Sequence, residues 1–171
     1  MLTREGALRI LEEENTPPDV VEHCEAVARK AVATAKKALA AGHEVDVQLV
    51  ETGALLHDLG RAQTHGVGHG FMGGVILRNR GLVEHARIAE KHVGAGISKQ
   101  EAKRLGLAPR DYIPRTLEEK IIANADNLVD GIHPVTIWET VQKMRGHGDP
   151  EEAVERVLEL YKEIESLTAS S

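Results

Sequence analysis

Gly53-Ala54-Leu55-Leu56-His57-Asp58-Leu59-Gly60-Arg61, residues 53–61, sets two polar side chains directly behind an apolar run. Ala54, Leu55 and Leu56 belong to a helix expected from about Asp46 to Leu59, with Gly60 ending it. Asp58 lies one turn beyond Ala54, on the side that faces a core. A lone carboxylate there is costly to desolvate and needs a cation or hydrogen-bond donors.

Two further helices repeat the pattern. From Asp19 to about Ala41, apolar residues recur at Val20, Cys24, Val27, Ala31, Ala35 and Ala38, a spacing of three or four that marks one helix face. His23 borders that stripe. Thr116 opens a later helix, with Glu119 three residues on as a capping box. It is expected to run through Ile121, Ile122, Ala125, Leu128 and Val129 to Gly131, with Asp126 on its inner side. Three helices thus each turn a ligand-type side chain inward, and one divalent cation would satisfy all of them. The plainer alternatives are a helix-end pair at His57-Asp58 that caps backbone groups, and a buried hydrogen-bonded pair of His23 with Asp126. A His-Asp doublet is common by chance; the ordered set in its apolar context is what carries weight.

The remaining chain is helical in pattern. Leu8 and Leu11 mark a first helix from about Thr3 to Glu14, and Pro17-Pro18 punctuates the step to the next. A Gly-rich stretch, Arg61 to Gly74, holds a turn and the start of a helix reaching about Asn79. Further helices are expected over about Val83 to His92, Ser98 to Leu105, Thr136 to Arg145 and Pro150 to Leu167. Alternating β-branched residues are scarce, so no sheet is expected. The expected fold is all-α, a single-domain compact helical bundle over residues 1–171, with a core from about 17 to 130 and C-terminal helices over 131–171.

Composition narrows the function. The net charge of −6 argues against binding a nucleic-acid polymer through its backbone, and 2% aromatic residues leave little for base stacking. Cys24 is the single cysteine, so no internal disulfide forms and a reducing compartment is expected. No apolar run approaches a membrane span. Residues 1–15 are acidic and amphipathic rather than signal-like, and the protein is expected to be cytoplasmic. Nine histidines are the main anomaly.

The quoted block resembles the "LLHDIG" element of the HD superfamily of metal-dependent phosphohydrolases, with Leu59 in place of Ile. Pro18-Asp19-Val20-Val21-Glu22-His23 resembles its leading histidine segment, and Lys120-Ile121-Ile122-Ala123-Asn124-Ala125-Asp126 resembles its "KI..AD" element. The resemblance covers about Pro17 to Asp130. It implies that His23, His57, Asp58 and Asp126 ligate one metal. His69, in His69-Gly70-Phe71-Met72-Gly73, and His92, in His92-Val93-Gly94, resemble elements of two-metal HD enzymes, among them the bacterial symmetrical dinucleoside tetraphosphate hydrolases. That implies a second metal, with Asp58 bridging. Imidazole and carboxylate ligands suit one or two divalent transition metals among Fe, Mn, Co, Ni and Zn.

The implied activity is hydrolysis of a phosphate ester or anhydride of a small phosphorylated substrate, a nucleotide first, by metal-activated water. The Gly-Tyr-Pro element of the cyclic-di-GMP branch is missing, which sets that activity aside. Arg61 or Lys120 would add positive charge at the phosphate, and His65 would donate a proton to the leaving group; the plainer alternatives are that Lys120 pairs with Glu84 or another surface acid and that Arg61 caps the C-terminal carbonyls of the third helix. Two other readings stay open: a mixed-valent di-iron oxygenase with the same ligand set, and a non-catalytic nucleotide-binding module. A homodimer through the C-terminal helix is also left open. Cys24 and Trp138 are expected to pack, Trp138 as an anchor of the C-terminal helices. His85 is expected at the surface or satisfied, and His43, His133 and His147 in solvated turns.

Overall fold

Apolar stripes become helices in the computed structural model, which describes residues 1–169; the last two residues of the expected 1–171 domain lie outside the described residues. The order is α1 (Arg4–Glu13), α2 (Pro18–Ala40), α3 (Val47–Leu56), a 3-10 turn (Leu59–Ala62), α4 (His69–Asn79), α5 (Val83–Lys91), α6 (Lys99–Arg104), α7 (Leu117–Asp126), β1 (Val129–Asp130), β2 (His133–Pro134), α8 (Ile137–His147) and α9 (Glu151–Thr168).

Helix α2 is the axis. Val20, Cys24, Val27, Ala31, Ala35 and Ala38 are all buried on one face, and these small side chains let α3, α7 and α9 lie against it. One buried cluster runs from Ala7 on α1 to Ile164 on α9, so the C-terminal helices share the same core as the first. Helices α4 and α5 form a tight antiparallel pair. A Cβ on Gly70 would stand 2.7 Å from the Ala89 carbonyl oxygen, so only glycine permits this approach. The Thr116 capping box is complete, with the side chain of each partner bonded to the backbone of the other. Ser98 and Thr136 open α6 and α8 in the same way.

Three expectations need correction. First, α3 stops at Leu56 rather than Leu59. The His57 ring nitrogen Nδ1 takes the Ala54 carbonyl at 2.6 Å, which a continuing helix would have used, and the chain tightens into the 3-10 turn. Second, α7 ends at Asp126, and a two-residue antiparallel hairpin follows, with Gly131 in the left-handed region at its turn. Such short strands leave no alternating signal in a sequence. Third, Trp138 is 64% exposed and does not anchor the C-terminal helices; Ile137 and Val141 are the buried residues of α8. His85 is satisfied, its Nε2 lying 2.9 Å from the hydroxyl of buried Thr52.

The tie between α6 and α9 is electrostatic. Arg156 donates to both oxygens of Glu101, at 2.9 and 2.8 Å, and to the Gly96 carbonyl. Burial alone would raise the Glu101 pKa, but Arg156 and Ser98 outweigh it and hold the carboxyl below its ordinary value. Arg156→Ala, which strands this buried carboxylate, should cost about 3 kcal/mol in urea unfolding at neutral pH. A depressed folded pKa means the pair stabilises fully above the ordinary carboxylate range. Its contribution fades as pH falls through the folded value, so the gap to Arg156→Ala should shrink in acid.

Candidate metal centre

Four imidazoles and two carboxylates meet where α2, α3, α4, α5 and α7 converge. His23 comes from the first full turns of α2, and Asp126 is the last residue of α7. His57 caps α3 and Asp58 precedes the 3-10 turn. His69 opens α4, and His92 caps α5. Three of the rings are fixed by one device: Nδ1 of His57, His69 and His92 donates to the carbonyl three residues earlier, at 2.6, 2.8 and 2.7 Å. His23 sits mid-helix, where its own carbonyls are taken, and its Nδ1 donates instead to Gly131 in the hairpin, at 2.7 Å.

This fixes the tautomers. A carbonyl only accepts, so each Nδ1 carries the proton and each neutral ring presents an Nε2 lone pair. All four Nε2 atoms point at Asp58 and Asp126. His23 Nε2 lies 3.0 Å from Asp126 Oδ1 and 3.8 Å from Asp58 Oδ2. His57 Nε2 lies 3.5 and 3.9 Å from the same two atoms. On the other side, His69 and His92 Nε2 lie 3.1 and 3.2 Å from Asp58 Oδ1 and 3.0 Å from each other. The two oxygens of Asp58 therefore serve two separate groups of ligand atoms.

Without a cation this is an unfavourable arrangement. His57 Nε2 and Asp58 Oδ1 are buried with no hydrogen-bond partner, which is costly in a dry interior. Two imidazole lone pairs face each other across 3.0 Å at His69 and His92. Ligand atoms about 2.0–2.2 Å from a shared ion stand about 3–3.5 Å apart, so these separations fit metal ligation. Each set, His23 with His57 and Asp126, and His57 with Asp58 and His92, gathers its ligand atoms within 4.8 Å.

Protons bear the same strain. Burial opposes charge on His57, yet Cys24, Asp58 and Asp126 outweigh it and raise its pKa well above the usual value. Burial likewise opposes ionised Asp58, but His57, His69 and His92 hold its carboxyl well below the usual range. Asp126 is lowered too, against burial, by His57 and His23. His92 goes the other way: burial lowers it, which favours the neutral ring.

The cluster is the floor of an open depression of about 440 Å³, walled by His23, Asp58, Arg61, His65, Asp126 and Lys143. Arg61 donates through Nε to Asp58 Oδ2 at 2.7 Å, and His65 stands exposed at the mouth. Lys120 is not brought there. It donates to Glu163 on α9 at 2.7 Å and borders a different hollow, which corrects its expected place at the phosphate: its position on α7 points it away from the Asp126 face. The cation that the sequence did not single out is Lys143, one turn after Thr140 on α8, paired to Asp130 at 2.8 Å. Gly131, whose carbonyl orients His23, was equally silent, because no local pattern joins residues 108 apart.

Among the described residues no helix is long and apolar enough to cross a membrane. The family model described as HD domain matches residues 20–129. An uncharacterized protein of Methanocaldococcus jannaschii is 49% identical, over 87% of this chain and 89% of its own length. The tRNA (cytidine(56)-2'-O)-methyltransferases of Thermoplasma volcanium and Picrophilus torridus are 42% and 37% identical over 92% and 94% of this chain. The chain spans only 45% and 46% of those two proteins. The HD domain of the L. monocytogenes phosphodiesterase PgpH, solved in complex with cyclic-di-AMP, shares the fold. It is 18% identical with a TM-score of 0.56, over 95% of this chain and 98% of that one.

Proposed function

We propose that this chain, which belongs to the HD-domain family, is a metal-dependent phosphohydrolase that cleaves a phosphate ester or anhydride of a small phosphorylated molecule, a nucleotide first. The observation that carries this is the shared carboxylate of Asp58, set between two groups of imidazole Nε2 atoms, with His57 Nε2 and Asp58 Oδ1 buried and lacking a hydrogen-bond partner. His23, His57 and Asp126 with Asp58 Oδ2 would hold one divalent transition metal, and His69 and His92 with Asp58 Oδ1 a second. When bound, such ions supply Lewis-acid charge and make a water acidic enough to ionise near neutral pH.

The chain's own residues do the rest. Four backbone carbonyls lock the imidazoles in their ligating tautomer, as partners behind metal-binding histidines do. Arg61, held to Asp58 by Nε, keeps its terminal nitrogens as donors for a phosphoryl oxygen, where charge develops as the bond breaks. His65 at the mouth would pass a proton to the leaving oxygen. The methyltransferase activity named for the two longer relatives is not carried to this chain, which matches under half of each.

Metal content by elemental mass spectrometry, on protein purified without chelator, is the first test. Two transition-metal ions per chain are expected, falling to one in His69→Ala. A count that His69→Ala leaves unchanged would remove His69 from the second set. Phosphate release from a nucleotide panel should then proceed with and without oxygen. Strict oxygen dependence would favour the di-iron oxygenase, and tight binding without turnover would favour a binding module.

A further inference from the structure

A second hollow opens beside the metal centre. This groove of about 540 Å³ is within the usual range of about 300–1,000 Å³ for small-molecule sites. Asn127 and Thr140 wall both it and the depression over Asp58, so the two are neighbours with a shared rim. Its other walls start from the ligand segments themselves: Val67 lies two residues before His69, and Val93 and Gly94 follow His92.

The walls are aliphatic. Val67, Val93, Ile97, Leu105 and Met144 line the groove, and Val67 and Leu105 remain 39% and 48% exposed. Polar side chains ring these walls: Glu101, Arg104, Asn127, Thr140, Asp149 and Arg156, with Arg104 largely exposed and paired to Glu152. Thr140 gives its proton to the Asn127 carbonyl, and Asn127 Nδ2 donates to the Gly94 carbonyl, so the shared rim is held rigidly. Glu101 is neutralised by Arg156, whose Nε is a buried donor without a partner. An acyl chain would have no use for the polar rim, and a bare sugar none for the aliphatic walls. A flat heterocycle carrying a sugar phosphate uses both: faces against aliphatic side chains, polar edge toward the exposed Arg104 guanidinium, phosphate toward the metals.

We propose that this groove holds the nucleoside moiety of a nucleotide whose phosphate lies over Asp58, with Asn127 and Thr140 at the join. It rests on the phosphohydrolase reading and adds where specificity resides. The test is equilibrium dialysis of Mn²⁺-loaded protein with adenosine and guanosine 5′-phosphorothioates, which resist hydrolysis, against thiophosphate, which lacks the nucleoside. At least one nucleoside compound should bind about tenfold or more tighter than thiophosphate. Ala153→Trp, which fills the groove from α9, and Leu105→Glu, on its exposed lip, should each remove most of that advantage and leave thiophosphate binding unchanged. Equal affinity for all three compounds in the wild type, or variants that keep the advantage, overturns the assignment of the groove. Failure to bind thiophosphate at all, with metal present, would instead strike the phosphohydrolase reading beneath it.

Discussion

Asp58→Ala should retain neither metal ion and should lose turnover by at least about a thousandfold. The size of the effect follows from geometry. Asp58 is the carboxylate common to both sides: it offers Oδ2 to the His23 side and Oδ1 to His69 and His92. Removing it takes negative charge and one ligand atom from both sets at once, and leaves mutually repelling imidazoles. It also frees Arg61, which Asp58 holds at 2.7 Å. Elemental analysis and phosphate release on the same preparation read both consequences. Full activity in this variant would sink the site assignment. Chelation of the wild type should reproduce the loss and should also lower its melting temperature, since ions that tie α2, α3, α4, α5 and α7 together bind the folded state alone.

Gly60→Ala should destabilise the protein by about 3 kcal/mol or more, a drop of roughly 6–12 °C in melting temperature for a domain of this size. A Cβ at Gly60 would stand 1.9 Å from the His69 carbonyl oxygen and 2.6 Å from the Gly73 nitrogen. Both neighbours are backbone, so no rotamer change relieves the contact, and the 3-10 turn and α4 must part. Parting them moves His69 away from Asp58, so the second metal should be lost before the first. Gly42→Ala is the matched control. Nothing lies within 4 Å of a Cβ there, but φ is +92°, so only the local backbone cost of about 1 kcal/mol is expected. Equal effects at the two positions, read by thermal and urea unfolding, would show that close packing at Gly60 is not what the motif requires.

Gly60 shows what a motif conceals. From the sequence it reads as a helix stop, but α3 has already ended four residues earlier, at Leu56. The glycine is needed because two backbones touch, and a contact between the 3-10 turn and α4 leaves no periodic trace. The same limit applies to Lys120 and Lys143. Each lies on a helix with an ordinary pattern, and the sequence favoured the one next to a recognised block. The rotation of α7 turns Lys120 to Glu163, while α8 carries Lys143 over the depression. The hairpin at Val129–Pro134 was missed for another reason. Two-residue strands have no alternation to detect, although that turn supplies the carbonyl that orients His23.

Much was nonetheless legible. Apolar spacing of three and four, proline and glycine punctuation, and capping residues locate the helices of the described residues, with the ends of α3 and α7 placed too late, because helix faces are local properties of the chain. His23, Asp58 and Asp126 stood out as polar groups at apolar helix faces, whereas His69 and His92 were singled out only by their resemblance to segments of two-metal HD enzymes. Tertiary structure alone decided how they relate. It turned all four Nδ1 atoms to carbonyls, brought His69 and His92 within 3.0 Å, divided the two oxygens of Asp58 between two ligand groups, and joined the aliphatic groove to the site through Asn127 and Thr140. These depend on distances between segments up to 108 residues apart, which are set by the packing of whole helices and not by the pattern along any one of them.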